Sequence, residues 1–354
     1  MDTVTYLFGA GASAGLKDNR ILPVINELPE RLEKMAELLG SDEYQLDDQN
    51  PFRNLAQFGV KKTRRDIQNQ FRNDLQWLAN ESRKTASVDT LAKKYDLKGE
   101  NDLLEKLKIV LSAFFSLEQA KVRYDKRYEI FFTSIIKTRF ILPNHIRVLS
   151  WNYDIQFEMA LSELSYNKSV GEIENILRIN EKFHSDSLDL GNNFTLTKIN
   201  GTAKLYNNTQ PRRFVEKYDQ AFSLDTIESV INLYGLAIET IQHRSFRSNL
   251  SFAWETDRTD LGHIDIVSKA KQCTAGTTIL VVIGYSFSFF NREIDREIIN
   301  AMPNLRKVYF QAPDANNLRE RFLAIRDGLT SDNPLTQNLV TRFDLSQFVL
   351  PNEI

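Results

Sequence analysis

The chain has 354 residues, with 45 Lys and Arg against 47 Asp and Glu, a formal net charge of −2. That length suits roughly two domains of ~150 residues or one core carrying a large insertion, and a charge balance this close to neutral excludes the strongly basic make-up of a default nucleic-acid binder. The lone cysteine, Cys273, excludes an internal disulfide and a cysteine-rich zinc centre within one chain, while His145, His184, His243 and His263 are too scattered to suggest a metal site.

The segment 3–8 is β-branched and aromatic and reads as a buried strand. It runs into Gly9-Ala10-Gly11-Ala12-Ser13. A helix is expected from about Pro23, with Leu28, Leu32, Met35, Leu38 and Leu39 on one side. From residue 41 to 140 glycine is scarce and charges mix with Leu, Phe and Ile at helical spacing. This stretch reads as a helical insertion, with candidate helices at 62–84, 100–120 and 125–138. Its basic run at 61–65 reads as a solvated helix face.

Strand character returns at 146–151, followed by Asn152-Tyr153-Asp154. Residues 164–265 read as a smaller mixed module. They hold the apolar run 194–199, then Asn200-Gly201, and an amphipathic helix around 226–243. The most apolar strand, 278–283, ends at Gly284-Tyr285-Ser286. A helix over 292–302 follows, with Asn291 as its N-cap. A strand at 307–311 and a helix over about 315–324 close the pattern. Strand–helix alternation at both ends predicts an α/β fold: one Rossmann-like, doubly wound parallel sheet, spanning 1–354 as a single domain with the middle hung on it.

The N-terminal segment lacks the basic and apolar regions of a signal peptide, and no stretch approaches the ~18 apolar residues of a membrane span. A cytoplasmic protein without membrane contact is expected.

Several strand ends carry chemistry. Gly9 and Gly11 remove side chains where a backbone must approach phosphate oxygens, and Ser13 adds a hydroxyl. The same glycines also suit a plain tight turn. The next glycine, Gly15, falls one position late for a GxGxxG dinucleotide fingerprint, which argues against a dehydrogenase. Asn152 and Asp154 follow a strand end, where ligands of open α/β sheets bind; taken alone, an Asx-type turn is the plainer explanation of them. Gly284 and Ser286 end another strand. Asn200-Gly201 suits a type I′ hairpin turn.

In this order, these pieces resemble the sirtuin (silent information regulator) superfamily, and more closely the sirtuin-like NAD hydrolases of bacterial antiphage defence. Gly9-Ala10-Gly11-Ala12-Ser13 is similar to the GAGxS loop of that family, and Trp151-Asn152-Tyr153-Asp154 to its (T/Q)-N-(I/Y)-D motif. Gly284-Tyr285-Ser286, with the helix after Asn291, resembles the late G-(T/Y)-S motif, and Ser87-Val88-Asp89 a short (S/N)-(I/V)-D motif.

The resemblance implies that NAD is the substrate, not a resident cofactor, and that no metal is needed. It implies hydrolysis to nicotinamide and ADP-ribose, depleting NAD on infection. Gly9, Ala10, Gly11 and Ser13 would hold the pyrophosphate. Asn152 would place a water or ribose hydroxyl, and Asp154 would support nicotinamide binding. Gly284 and Ser286 would hold the adenosine side, with Gln311 reaching the adenine. Asn200 occupies the place of the catalytic histidine of the family, and an amide cannot accept a proton near neutral pH. His184, between the two motifs, is a second candidate for that role. A chain that binds NAD or ADP-ribose as a regulatory scaffold is the alternative. A protein deacylase is a third, disfavoured by the missing zinc cysteines. A regulated homo-oligomer is expected, with a partner protein as sensor, a HerA-type ATPase foremost. Basic runs at 61–65 and 121–127 leave direct nucleic-acid binding open.

Overall fold

A computed structural model describes every residue except 1, 17–18, 139, 166–167, 182–192, 208–220, 244–245, 258–264, 331–332 and 354. The strands in chain order are β1 (Val4–Phe8), β2 (Gly15–Leu16), β3 (Asn19–Arg20), β4 (Ile146–Ser150), β5 (Ile179–Asn180), β6 (Thr195–Lys198), β7 (Gly201–Asn207), β8 (Phe246–Leu250), β9 (Ile279–Ile283), β10 (Lys307–Gln311) and β11 (Leu339–Arg342). Seven form one sheet in the order β11-β10-β9-β1-β4-β6-β5, with every pairing parallel. The expected doubly wound parallel sheet is present. From β1 the chain adds β4, then the edge strand β5, then β6 between them, and returns to build β9, β10 and β11 on the other side. The order therefore reverses between β1 and β9, the switch point at which such sheets place ligands.

The chain forms two compact units. The first comprises Met1–Ile21, Tyr124–Gly201 and Ser251–Ile354, and contains the large sheet. Its central strands β1, β4 and β9 are buried at every residue, because both faces are covered. Tyr6 and Phe8 meet Phe131, Phe157 and Phe348, with ring centroids 4.9–5.1 Å apart for Tyr6–Phe131, Phe8–Phe157 and Phe8–Phe348. Leu7, Leu149, Leu280, Val282 and Phe310 join a second core with Ile298, Leu318 and Phe322.

The second unit comprises Leu22–Arg123 and Thr202–Leu250. Its boundaries differ from the expected 41–140 and 164–265, since it begins at residue 22 and takes only 202–250 from the later stretch. It holds helices Leu28–Leu38, Arg64–Ser82, Val88–Leu97, Asn101–Val122 and Leu224–Glu239, with β7 beside β8. The helix expected from Lys62 starts two residues later. Thr63 and Asp66 form a reciprocal capping box, with Asp66 N donating to Thr63 Oγ1 at 3.1 Å and Thr63 N to Asp66 Oδ2 at 2.8 Å. Ser87 similarly accepts from Thr90 N at 3.1 Å, so the Ser87-Val88-Asp89 motif is a helix start. Burial pushes the Asp89 carboxyl up to about 6. In the basic run, Lys62 pairs with Glu239, Arg64 with Glu228 and Arg65 with Asp48, so acids answer much of its charge.

Two expectations need correction. Asn200-Gly201 is not a hairpin turn: β6 pairs with β4 and β5, while Gly201, at φ +67°, opens β7, which pairs with β8. Asn291 stands at the helix start, but its side chain does not cap it and instead donates to the Tyr285 hydroxyl at 3.3 Å. Among the described residues, no helix is long and apolar enough to cross a membrane.

Candidate functional site

The C-terminal ends of β1, β4, β6 and β9, all in the first unit, bring most of the sequence candidates together. Gly9 follows β1 and enters the short helix Ala10–Ser13. Its amide donates to Ile283 O at 3.0 Å, Gly11 N donates to Gly284 O at 3.0 Å, and Ala12 N donates to Gly9 O at 2.8 Å. These three amides are engaged by backbone carbonyls. The glycines are required here because the loops after β1 and β9 pack backbone to backbone: a Cβ on Gly9 would lie 2.5 Å from Tyr285 Cα, and one on Gly11 would lie 3.0 Å from Gly284 Cα. Gly284, at φ +59°, has no room for a Cβ against Gly11 and Ala12. Ala10 and Ser286 are exposed at the rim, and Arg321 holds Ser286 by donating to its carbonyl at 2.6 Å.

Asn152 is buried, and its Nδ2 donates to Gly9 O at 3.0 Å and to Ser13 Oγ at 3.1 Å. Residues 139 and 143 positions apart in sequence thus share one amide group. Ser13 Oγ also pairs with Tyr128 OH at 2.7 Å. With both Nδ2 hydrogens engaged, Oδ1 is the end of Asn152 that can accept from a ligand hydroxyl or water. Asp154 is buried beside this group. Its Oδ1 accepts from Gln156 N at 3.2 Å, so the Asx turn is real and starts the helix Gln156–Leu164. Burial raises the Asp154 carboxyl above the usual range, against the pull of Lys198, Ser13, Gln156 N and Asn152.

Asn200 is buried and paired at both ends of its amide. Nδ2 donates to Trp151 O at 3.3 Å, and Oδ1 accepts from Ala253 N at 3.2 Å. Its backbone carbonyl accepts from Ser251 N at 2.9 Å. The side chain ties the end of β6 to the end of β4. Gln311 is likewise engaged: Nε2 donates to Asp344 O and Gln347 O, both at 2.6 Å, and Oε1 accepts from Val349 N at 3.1 Å. His184 lies outside the described residues.

Sequence reasoning missed the residues that brace the site. Arg127 is buried, pairs with Asp125 at 2.6 Å, and donates to Ala12 O at 2.8 Å, closing the end of the glycine loop. It had read as part of a basic run, and the signal was the nearby acid at Asp125. Tyr128 was hidden among other aromatic core residues. Tyr285 stacks on Trp151, with centroids 5.6 Å apart and planes 7° from parallel, and donates to Asp295 Oδ2 at 2.8 Å. Burial drives Asp295 up to about 8. The Tyr285 hydroxyl and the Trp151 indole oppose this, although the indole N–H closes no hydrogen bond of normal geometry. The polar Asp295 on an apolar helix face was the available signal.

Among the described residues, no group of three or more His, Cys, Asp or Glu side chains could hold a metal ion. A scan of the sequence against protein-family models and a search of curated proteins found no match.

Proposed function

We propose that this chain binds NAD at the C-terminal edge of the large sheet and hydrolyses it to nicotinamide and ADP-ribose. The observation that carries the reading is the Asn152 amide, which joins the β1 glycine loop, through Gly9 and Ser13, to the strand end bearing Asp154. Cleavage breaks the bond between the nicotinamide nitrogen and the ribose carbon. The electron pair leaves with nicotinamide, a neutral leaving group that needs no proton, and positive charge builds on the ribose. Water then adds to that carbon and releases one proton. The Asp154 carboxylate supplies the negative field for the cationic ring and the ribosyl cation. Asn152 Oδ1 orients a ribose hydroxyl or the incoming water. Ala10 and Ser286, at the rim, suit the diphosphate and adenosine side.

The amide at residue 200 supplies no base. Bond breaking asks for charge stabilisation, and a base assists only the capture of water, so turnover is slow and not absent. A second reading, NAD or ADP-ribose binding without cleavage, is favoured by the complete pairing of Asn200 with backbone. Depletion of NAD would harm the host. We therefore assign control to homo-oligomer assembly or to a sensor partner, with a HerA-type ATPase the first to test. Calorimetry of NAD binding to the chain and to Asp154→Asn tests the site: weaker binding by the variant is expected, and equal affinity would remove Asp154 from the ligand.

A further inference from the structure

Lys198 ends β6 with its side chain about 1% exposed. Its Nζ donates to the backbone carbonyl of Asp154 at 2.7 Å and pairs with Glu158 Oε1, which is equally buried. Glu158 lies in the first turn of the helix that Asp154 starts. One ammonium thus ties the strand end that leads to Asn200 to the turn that carries Asn152 and Asp154.

The Lys198 ammonium serves two buried carboxylates: it pairs with Glu158 directly, and Asp154 lies within its field. Lys198 is also the strongest influence opposing burial at Asp154. The other groups facing Asp154 add little charge. Tyr128 is neutral, its hydroxyl pushed far up by burial, and the Asp125–Arg127 pair beside it is internally balanced.

We propose that Lys198 is a positioning residue of the NAD-cleaving site: paired with Glu158, it fixes the backbone at Asp154 and supplies the counter-charge that lets this buried carboxylate face a cationic ligand. The inference rests on the NAD-cleaving reading above.

Lys198→Met alone would take the cation away from the buried Glu158 carboxylate and endanger the fold. The test therefore uses Lys198→Met/Glu158→Gln, which leaves neither charge behind. Two quantities are read. The first is the titration of Asp154, obtained from the difference in urea midpoint between each background and its Asp154→Asn counterpart across the acid range. In the double variant this titration is expected to move to higher pH. The second is nicotinamide release. Its kcat/KM is expected to fall about tenfold at about pH 6, with a smaller loss at about pH 8. An unmoved titration, or a loss equal at both pH values, overturns the role of Lys198 while leaving the NAD reading intact. If neither the unmodified chain nor Asn200→His releases nicotinamide, the NAD-cleaving reading fails and takes the proposal with it.

Discussion

The Gly11 amide donates to the Gly284 carbonyl at 3.0 Å, locking the loop after β1 onto the loop after β9. The two glycines are not equivalent. Gly284 combines φ +59° with contact against Gly11 and Ala12 backbone, whereas a Cβ on Gly11 would meet Gly284 at 3.0 Å. Gly284→Ala is expected to cost about 3 kcal/mol and Gly11→Ala about 1–2 kcal/mol. Urea midpoints check this; equal and negligible losses would mean the loops separate readily.

Asn152→Ala is expected to cost about 1–2 kcal/mol, since it strips the donor from the Gly9 carbonyl and the Ser13 hydroxyl. It is also expected to abolish nicotinamide release from the folded fraction. Chromatography of the products at matched folded concentration separates the two effects, and full cleavage by the variant would contradict the assignment.

Arg127→Met leaves Asp125 buried without its cation and frees the Ala12 carbonyl. A loss of about 3–5 kcal/mol is expected. Adding Asp125→Asn should recover part of it. Additive losses in the double-mutant cycle would show that the pair is uncoupled.

Burial holds Asp295 neutral up to about 8, while an unfolded Asp ionises near its ordinary 3.8. Between those values the folded chain keeps a proton that the unfolded chain has released. Stability therefore falls as pH rises through this window, by at most about 1.4 kcal/mol per pH unit, and the contribution is gone above about pH 8. Asp295→Asn keeps an acceptor for the Tyr285 hydroxyl and removes the titration. Its stability relative to the parent chain should climb from about pH 5 to about pH 8. Parallel profiles would place Asp295 in contact with water.

The sheet was readable because its strands are short apolar runs that end in glycine or Asn-Asp, and β10 begins and ends at the residues expected from the sequence. The edge strands β5 and β11 were not readable: β5 has two residues, and β11, Leu-Val-Thr-Arg, is only partly buried. The helix Val88–Leu97 was missed because its capping serine read as part of a motif. The order of motifs singled out Asn152, Asp154 and the glycine loop, which the fold brings together, but it carried no sign that the glycines pack against the loop after β9. Amides at strand ends can serve a ligand or the backbone, and only the folded chain reveals that the side chains of Gln311 and Asn200 bond to backbone. Lys198 and Glu158, 40 residues apart, carry no sequence sign of their pairing.

The central claim is tested most directly by incubating the purified chain with NAD and following nicotinamide by chromatography, beside Asn200→His and Asn152→Ala. Slow release by the unmodified chain and none by Asn152→Ala is the expected result. Release by Asn200→His alone would support the binding reading for the unmodified chain. No release by the unmodified chain or by Asn200→His, together with no NAD binding in calorimetry, would contradict the assignment of this site to NAD.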